Sequence, residues 1–252
     1  MDVDSTSGQS IILETRELTK QFEGLLALNN LDFQVERGRI HGVIGPNGAG
    51  KTTLFNLISG SLKPTGGRIF FKGRDITAEA PSKITTYGIA RKFQITQVFD
   101  SLTVQDNVML AVQRPLAAGI MGLLKRGDTD AKTHELLDLV HLSDKAHMYA
   151  GELAHGERQR LELAMVLGTG AELLLLDEPT SGMSLEERDE IGTLLRVMSR
   201  RATILITEHD FLFIKQVADV VTVLNRGEKV AEGSVTEIEC NMAVRECYLG
   251  AA

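Results

Sequence analysis

The chain has 252 residues, of which 43% are hydrophobic and 24% are charged, as is usual for a globular protein with a substantial core. Its formal net charge of -7 argues against nucleic acid as the main partner, because binding along a phosphate backbone requires a basic surface. The acidic first residues are unlike a secretion signal, and no apolar stretch is long enough to span a bilayer. We therefore expect a cytosolic protein that cannot cross a membrane alone.

The N-terminal part of the chain is rich in predicted strands. Residues 11–13, 31–35 and 68–71 are short runs of strand-favouring residues. The apolar run at residues 40–44 predicts a further strand, and a helical pattern begins at about residue 53. The segment between that strand and that helix therefore has the context of a ligand-binding loop.

This segment matches the phosphate-binding pattern G-x-x-x-x-G-K-[ST], and we call it the phosphate loop. It consists of Gly45, Pro46, Asn47, Gly48, Ala49, Gly50, Lys51 and Thr52, and Thr53 follows it. The glycines let successive backbone N–H groups turn inward around an anion, while the helix N-terminus and Lys51 supply positive charge. The hydroxyl of Thr52 suits a hard cation such as Mg²⁺. The loop therefore predicts that the chain binds a nucleoside triphosphate with Mg²⁺.

A second predicted element of the site is a buried strand that ends in two carboxylates. Residues 173–176 are four leucines, and Asp177 and Glu178 follow them. Ligands of open α/β sheets gather at the carboxyl ends of the strands, so Asp177 is placed to hold Mg²⁺, directly or through water. Glu178 lies one residue beyond and is the natural general base for an attacking water.

The remaining pattern indicates helices in the middle of the chain and alternating elements at its end. Apolar spacing over residues 104–112 and 134–142 favours packed helices. Residues 202–206 predict another buried strand, and residues 220–231 predict a hairpin. Ser184 and Glu187 form a capping-box pattern, which predicts a helix to about Ser199.

Several short motifs resemble those of the ATP-binding subunits of ABC transporters. Gln94 matches the Q-loop of that family, His209 matches its switch histidine, and Phe22 falls where the family stacks an aromatic ring on adenine. The segment before a predicted helix at residues 158–167 is similar to the family's signature motif. That segment consists of Leu153, Ala154, His155, Gly156 and Glu157. The order and spacing of the motifs agree from about residue 13 to residue 249.

The resemblance implies an α/β P-loop NTPase fold of ABC ATPase type, with an N-terminal antiparallel β-subdomain and an inserted α-helical subdomain. We expect one ATP-binding domain over residues 1–252, with a core lobe at 10–93 and 166–252. The helical subdomain, which carries the signature motif, is expected at residues 94–165.

The resemblance also implies a mechanism. Two such domains should dimerise head to tail, with ATP between the phosphate loop of one and the signature motif of the other. Gln94 would touch the Mg²⁺ or the attacking water and report to the transmembrane partner. His209 would hold the γ-phosphate and orient Glu178, and closure on ATP would drive the transporter.

Two residues depart from the family's pattern. The usual serine of the signature motif is Ala154, which removes a hydroxyl from the facing site. Ser184 stands where the loop after the carboxylates, called the D-loop, commonly has an aspartate. Both are interpreted as tolerated variation.

Residues 44–56 are similar to those of ATPases from branched-chain amino acid importers, and residues 88–94 are closer still to the urea and short-chain amide branch. Those importers work at the inner membrane of bacteria, with the ATPases on its cytoplasmic face. They use two permease subunits, two different ATPases and an external solute-binding protein. The same partners are therefore implied here, with the second ATP-binding subunit being either identical or different.

A surface for the permease is expected after Gln94, where Val98 and Phe99 suit a groove that receives a coupling helix. The apolar stretch at residues 116–124 is interpreted as an internal helix, with contact to the permease or the membrane surface as the alternative.

Three other classes of protein remain open from the sequence. An exporter ATPase of the same family, such as one for lipopolysaccharide export, has the same motifs. Soluble ABC-type ATPases of repair or translation usually have a long coiled coil or two nucleotide domains, whereas this chain has one phosphate loop and no sustained heptads. An unrelated P-loop kinase has no need of residues 153–157 or of His209.

Overall fold

The computed structural model describes residues 10–92, 98–113 and 126–249, and the strands in these ranges form two sheets. The strands are β1 (Ile11–Phe22), β2 (Leu25–Glu36), β3 (Ile40–Ile44), β4 (Gly66–Phe71), β5 (Arg74–Asp75), β6 (Ile89–Lys92), β7 (Leu173–Asp177), β8 (Thr203–Thr207), β9 (Val220–Asn225) and β10 (Glu228–Gly233). The helices are α1 (Lys51–Ile58), α2 (Pro81–Tyr87), α3 (Val104–Gln113), α4 (Arg126–Leu139), α5 (His155–Gly168), α6 (Leu185–Met198), α7 (Phe211–Val217), α8 (Val235–Cys240) and α9 (Met242–Leu249).

The larger sheet has the strand order β10-β9-β3-β8-β7-β6 and is parallel except for β10 at one edge. The four leucines of β7 alternate between two cores, so that Leu173 and Leu175 face one core while Leu174 and Leu176 face the other. The prediction of a strand buried on both faces is therefore confirmed. Because β3, β7 and β8 are parallel neighbours, their carboxyl ends meet at one edge of the sheet.

The smaller sheet is antiparallel and has the order β2-β1-β4-β5. Its strands β1 and β2 extend well beyond the short runs recognised in the sequence. Phe33 and Phe71 from this sheet pack in one core with Phe55 of α1 and with Leu173 and Leu175. This core fixes the antiparallel sheet and α1 against the same face of the parallel sheet.

Among the described residues between β6 and β7, three α-helices pack on one another. Val108 of α3, Leu137 of α4 and Leu161 of α5 are buried in a shared apolar core. These helices correspond to the predictions for residues 104–112, 134–142 and 158–167, although α4 ends at Leu139. The proposed limits of the inserted subdomain, residues 94–165, stay a prediction, and the apolar stretch at 116–124 lies outside the described residues.

The hairpin and the capped helix predicted near the C-terminus are also present. β9 and β10 pair as a hairpin. At the start of α6, the Glu187 N–H donates to Ser184 Oγ at 3.3 Å and the Ser184 N–H donates to Glu187 Oε2 at 2.9 Å. Within the described ranges, every helix is too short or too polar to span a bilayer.

Candidate nucleotide-binding and catalytic site

The phosphate loop connects β3 to α1, as the sequence predicts. Three glycines of the loop have positive φ angles, which residues with a side chain rarely adopt. They are Gly45 at 151°, Gly48 at 78° and Gly50 at 106°. A Cβ atom on Gly45 would overlap the carbonyl oxygen of Leu224, and one on Gly50 would lie 2.7 Å from the Ala27 carbonyl oxygen. The loop therefore needs glycine at both positions for its close packing as well as for its backbone angles.

Lys51 folds back over this loop. Its ammonium donates to the carbonyl oxygens of Gly45 at 2.6 Å and Pro46 at 3.2 Å, and its side chain is buried. Burial lowers the pKa of Lys51, while the negative charges of Glu178 and Asp177 oppose that shift. The lysine is thus held close to both carboxylates, and a glycine cradle with a buried ammonium fits the phosphates of a nucleotide.

Asp177 ends β7 and is held on both oxygens. Arg91 Nη2 donates to its Oδ2 at 3.0 Å, and the Thr207 hydroxyl donates to its Oδ1 at 2.6 Å. Glu178 follows with a positive φ of 48°, and its N–H donates to the carbonyl oxygen of Thr207 at 3.0 Å. The loop after β7 is therefore fixed to the end of β8.

Glu178 and His209 form a close pair at this edge of the sheet. His209 Nε2 lies 2.5 Å from Glu178 Oε1, and the histidine is more exposed than the carboxylate. A carboxylate in contact with an imidazole can serve as a general base that the ring orients. The structure thus brings together Lys51, Asp177, Glu178 and His209, which are distant in sequence.

The oxygen groups of the site fit Mg²⁺ that is shared with phosphate. Thr52 is exposed at the start of α1, beside Lys51, and Asp177 is the buried carboxylate at the end of β7. No cluster of three or more histidine, cysteine, aspartate or glutamate side chains suited to a metal occurs in the part of the chain that the structure describes. A site with one carboxylate and one hydroxyl suits Mg²⁺, which typically combines few protein ligands with substrate phosphates and water.

A sequence profile of the ABC transporter family matches residues 28–181, which is more than half of the chain and includes the phosphate loop, Asp177 and Glu178. The chain belongs to the ABC transporter family. It is an ATPase that binds ATP with Mg²⁺. The predicted ABC ATPase fold, with an antiparallel β-subdomain and a helical subdomain, is confirmed by the solved cassettes.

Individual relatives match this chain along most of their own length. BraF of Pseudomonas aeruginosa, a high-affinity branched-chain amino acid transport ATP-binding protein, is 36% identical over 251 residues that cover 96% of this chain and 98% of BraF. CysA 2 of Chromobacterium violaceum, a sulfate/thiosulfate import ATP-binding protein, is 37% identical over 248 residues, covering 96% of this chain and 64% of CysA 2. The ADP conformation of MJ1267, an ATP-binding cassette of an ABC transporter, has a TM-score of 0.84 and 30% identity, covering 96% of this chain and 99% of MJ1267.

The signature segment of this ABC ATPase forms the N-terminus of α5. Ala154 is the N-cap residue, and its N–H donates to Glu157 Oε2 at 3.2 Å, but alanine has no side-chain oxygen for the return bond. His155 Nε2 lies 3.3 Å from the carbonyl oxygen of Ser181 in the D-loop, and a Cβ on Gly156 would overlap the Glu187 carboxylate. The segment therefore packs against the D-loop of its own chain.

Phe22 and the phosphate loop are linked through the backbone. The Asn29 N–H donates to the Gly227 carbonyl oxygen at 2.9 Å, and the Gly227 N–H donates to the Ala49 carbonyl oxygen at 3.0 Å. β2, which contains Asn29, forms a hairpin with β1, and Phe22 ends β1 with 40% of its surface exposed. The ammonium of Lys20 lies 4.9 Å from the centre of the Phe22 ring. An exposed ring at this place is compatible with stacking on a base.

Two predicted positions have a different outcome. Gln94, assigned to catalysis and to the metal, lies outside the described residues. Val98, interpreted as part of a surface groove, is only 7% exposed and packs in the helical core, so that interpretation is wrong. Phe99 is 50% exposed, and Asn107 holds its backbone by accepting from the Phe99 N–H at 2.8 Å and donating to its carbonyl oxygen at 3.1 Å.

Glu208 was missed by the sequence reasoning. Its buried carboxylate accepts from the Thr180 N–H at 3.0 Å and the Thr180 hydroxyl at 2.7 Å, so it connects the D-loop to the residue before His209. Burial raises the pKa of Glu208, the Thr180 hydrogen bonds oppose the shift, and the charge of Glu178 adds to it. The sequence showed only an acidic residue directly before His209. Its hydrogen-bond partner, Thr180, is apparent only in the folded structure.

Proposed function

We propose that this chain is the ATP-hydrolysing subunit of an ABC importer, bound peripherally at the cytoplasmic face of a bacterial inner membrane. Its partners would be two permease subunits and a second ATP-binding subunit, and an external solute-binding protein would act indirectly. The observation that carries the proposal is the Glu178–His209 pair beside Lys51, in a chain that matches BraF over nearly the full length of both. No nucleic acid is involved.

The site residues divide the reaction among them. Lys51 and the N–H groups of the phosphate loop bind the phosphates, and Glu178 accepts the proton of the attacking water. His209 keeps the Glu178 carboxylate in place through the 2.5 Å contact. Mg²⁺ neutralises phosphate charge when bound, and Thr52 and Asp177 would hold it. Gln94 would complete this set, and Phe22 would stack on the adenine.

The signature segment is proposed to act on the nucleotide of the second ATP-binding subunit. The N–H groups at the start of α5 present partial positive charge, which stabilises a phosphate from the side opposite to a phosphate loop. Ala154 contributes only its backbone to this contact, so helix geometry would provide most of the interaction. The residues assigned to it are Leu153, Ala154, His155, Gly156 and Glu157.

The surface around Phe99 is proposed as the contact with a permease subunit. Its side chain is half exposed, and the two hydrogen bonds with Asn107 hold its backbone in one position. Asn107 is itself completely buried in α3, so its hydrogen bonds attach the backbone of Phe99 to the helical subdomain. A fixed apolar side chain on the surface suits an amphipathic helix of a partner.

The substrate is proposed to be a branched-chain amino acid, with urea or a short-chain amide as the finer alternative from the motif at residues 88–94. The near-complete match to BraF supports the first, whereas a sulfate importer of similar identity matches over a smaller share of its length. No residue of the site described here would contact the transported solute.

Transport by the assembled complex tests the proposal. The chain would be placed in proteoliposomes with its permeases and second ATPase, and solute-binding protein loaded with leucine, urea or acetamide would be added. Leucine-dependent ATP hydrolysis and uptake are expected, and the same effect with urea or acetamide alone would select the amide branch. Hydrolysis that responds to none of these, with efflux of a lipid instead, would identify an exporter.

A further inference from the structure

Arg91 joins three parts of the nucleotide site through one guanidinium. Besides its 3.0 Å hydrogen bond to Asp177 Oδ2, it donates from Nη1 to Asn56 Oδ1 at 2.5 Å and to Ser59 Oγ at 3.3 Å. Asn56 belongs to α1, which begins at Lys51, and Arg91 itself belongs to β6. The side chains of Arg91 and Asp177 are 8% and 1% exposed, so the ion pair is almost completely shielded from water.

The position of this pair matters because Asp177 is the carboxylate assigned to Mg²⁺. Both of its oxygens already accept hydrogen bonds, from Arg91 and from Thr207. A further cation that approaches Asp177 has to share its negative charge with the guanidinium, and two positive charges in a buried site repel each other strongly. Without Arg91, however, the buried carboxylate would keep only the Thr207 hydrogen bond and the charge of Lys51 whenever the nucleotide is absent.

We propose that Arg91 is a positioning residue that serves as the internal counter-ion of Asp177 and thereby weakens Mg²⁺ binding at the nucleotide site. This inference rests on the assignment of Asp177 to Mg²⁺ in the proposed function. In the nucleotide-free protein, Arg91 neutralises and orients the carboxylate. In the loaded protein, it competes with Mg²⁺ for the same carboxylate, so that the ion and the nucleotide leave more readily.

Mg²⁺ titrations at saturating ADP test the proposal, because ADP is not hydrolysed and the readout is independent of turnover. Arg91→Gln removes the charge and keeps an N–H donor, whereas Arg91→Lys keeps the charge and loses the planar fork. We expect Arg91→Gln to lower the half-saturating Mg²⁺ concentration by about tenfold, the fold-change that corresponds to a charged hydrogen bond of about 1.5 kcal/mol. Arg91→Lys should stay near the wild-type value.

Thermal unfolding adds a second readout. Arg91→Gln is expected to melt at a lower temperature than the wild type without ligand, and to gain more from Mg²⁺ with ADP than the wild type gains. Arg160→Gln serves as the matched control, because Arg160 is largely buried and pairs with the exposed Glu190. We expect no change in the gain for this control. If Arg91→Gln is not recovered folded without ligand, refolding should succeed with Mg²⁺ and ADP and not with ADP alone.

The outcomes separate this inference from the assignment on which it rests. Weaker or unchanged Mg²⁺ binding in Arg91→Gln would overturn the competition and leave Arg91 as a structural tie. Failure of refolding in both conditions would count equally against it. Asp177→Asn should reduce Mg²⁺ binding in every background, and if it leaves Mg²⁺ binding at the wild-type level, the assignment of Asp177 is itself wrong.

Discussion

Glu178 and His209 are in contact at 2.5 Å although they follow two different strands of the parallel sheet. The contact depends on the unusual backbone of Glu178, whose positive φ is held by the hydrogen bond from its N–H to the Thr207 carbonyl oxygen. Positive φ is uncommon for residues with a side chain, and such geometry persists only where the surrounding structure enforces it. β7 and β8 together therefore direct the carboxylate toward the histidine.

Glu178→Gln should preserve ATP binding and stop hydrolysis. The amide has nearly the same shape but cannot accept the proton, and loss of a general base lowers rates by about 10²–10⁴-fold. Phosphate release and binding of labelled ATP would be measured on the same preparation. Size-exclusion chromatography with light scattering would show whether trapped ATP produces a dimer. Hydrolysis at the wild-type rate would eliminate Glu178 as the base.

Gly50→Ala should damage both stability and nucleotide binding. Gly50 combines positive φ with a Cβ position 2.7 Å from the Ala27 carbonyl oxygen, so the phosphate loop has to move. Gly38→Ala is the matched control, since Gly38 has a φ of 76° and open space around its Cβ position. We expect the control to cost about 1–2 kcal/mol from backbone strain alone, with ADP affinity retained. Equal ADP affinities in both variants would contradict this account of the loop.

Ala154→Ser should stabilise the protein through the N-terminus of α5. The backbone at Ala154 already has N-cap geometry, with φ of -62° and ψ of 160°, and Glu157 already provides half of a capping box. A serine hydroxyl would complete the box, for a gain of about 1 kcal/mol in the free energy of unfolding. Ser184→Ala, which removes the hydroxyl half of the box of α6 and leaves the bond from the residue 184 N–H to Glu187, should lose a similar amount. Urea denaturation of both variants measures the two changes. A lower free energy of unfolding for Ala154→Ser would show that the added hydroxyl does not complete the capping box of α5.

His41 should make the protein less stable in mild acid. It is buried in β3, and burial, with a smaller effect of the Lys229 charge, lowers its pKa to about 3. The Thr222 hydroxyl donates a hydrogen bond to Glu232 Oε2 at 2.8 Å. The neutral His41 ring therefore donates from Nε2 to Thr222 Oγ1, also at 2.8 Å.

The sign follows from the direction of this shift. The unfolded chain binds a proton at His41 below about pH 6.5, while the folded chain does not until about pH 3. The contribution of His41 to the free energy of unfolding is therefore fully present above pH 6.5. It decreases by about 1.4 kcal/mol per pH unit between pH 6.5 and about pH 3. His41→Gln should remove this part of the slope between pH 6 and pH 4 in urea denaturation. Identical slopes in the two proteins would mean that His41 is protonated in the folded state.

Phe99→Glu should separate transport from ATP binding. The side chain is half exposed and its backbone is fixed by Asn107, so a charge there disturbs the surface without entering the core. We expect loss of transport in the reconstituted complex, with ATP binding by the isolated chain unchanged. Met242→Glu, a change at another exposed apolar side chain in α9, is the control and should transport normally. Normal transport by Phe99→Glu would place the permease contact elsewhere.

Local patterns made part of the fold predictable. The four leucines of β7 indicated a doubly buried strand, and Ser184 with Glu187 indicated the start of α6, because each signal is contained within a few neighbouring residues. Short elements such as β6 and α7 were missed, since four to seven residues carry too little periodicity to be distinguished from loops. Val98 was misplaced because an apolar residue in a loop can face either the solvent or the core.

The sequence by itself determined that this protein binds and hydrolyses a nucleotide, because the phosphate loop and the carboxylates after β7 are contiguous motifs whose chemistry is local. Only the tertiary structure decided which side chains complete the site. Arg91 reaches Asp177 across 86 positions of sequence, and Thr180 reaches Glu208 across 28. Such pairs depend on the order of parallel strands, and strand order is set by packing of the whole sheet between its two cores. No short segment contains that information.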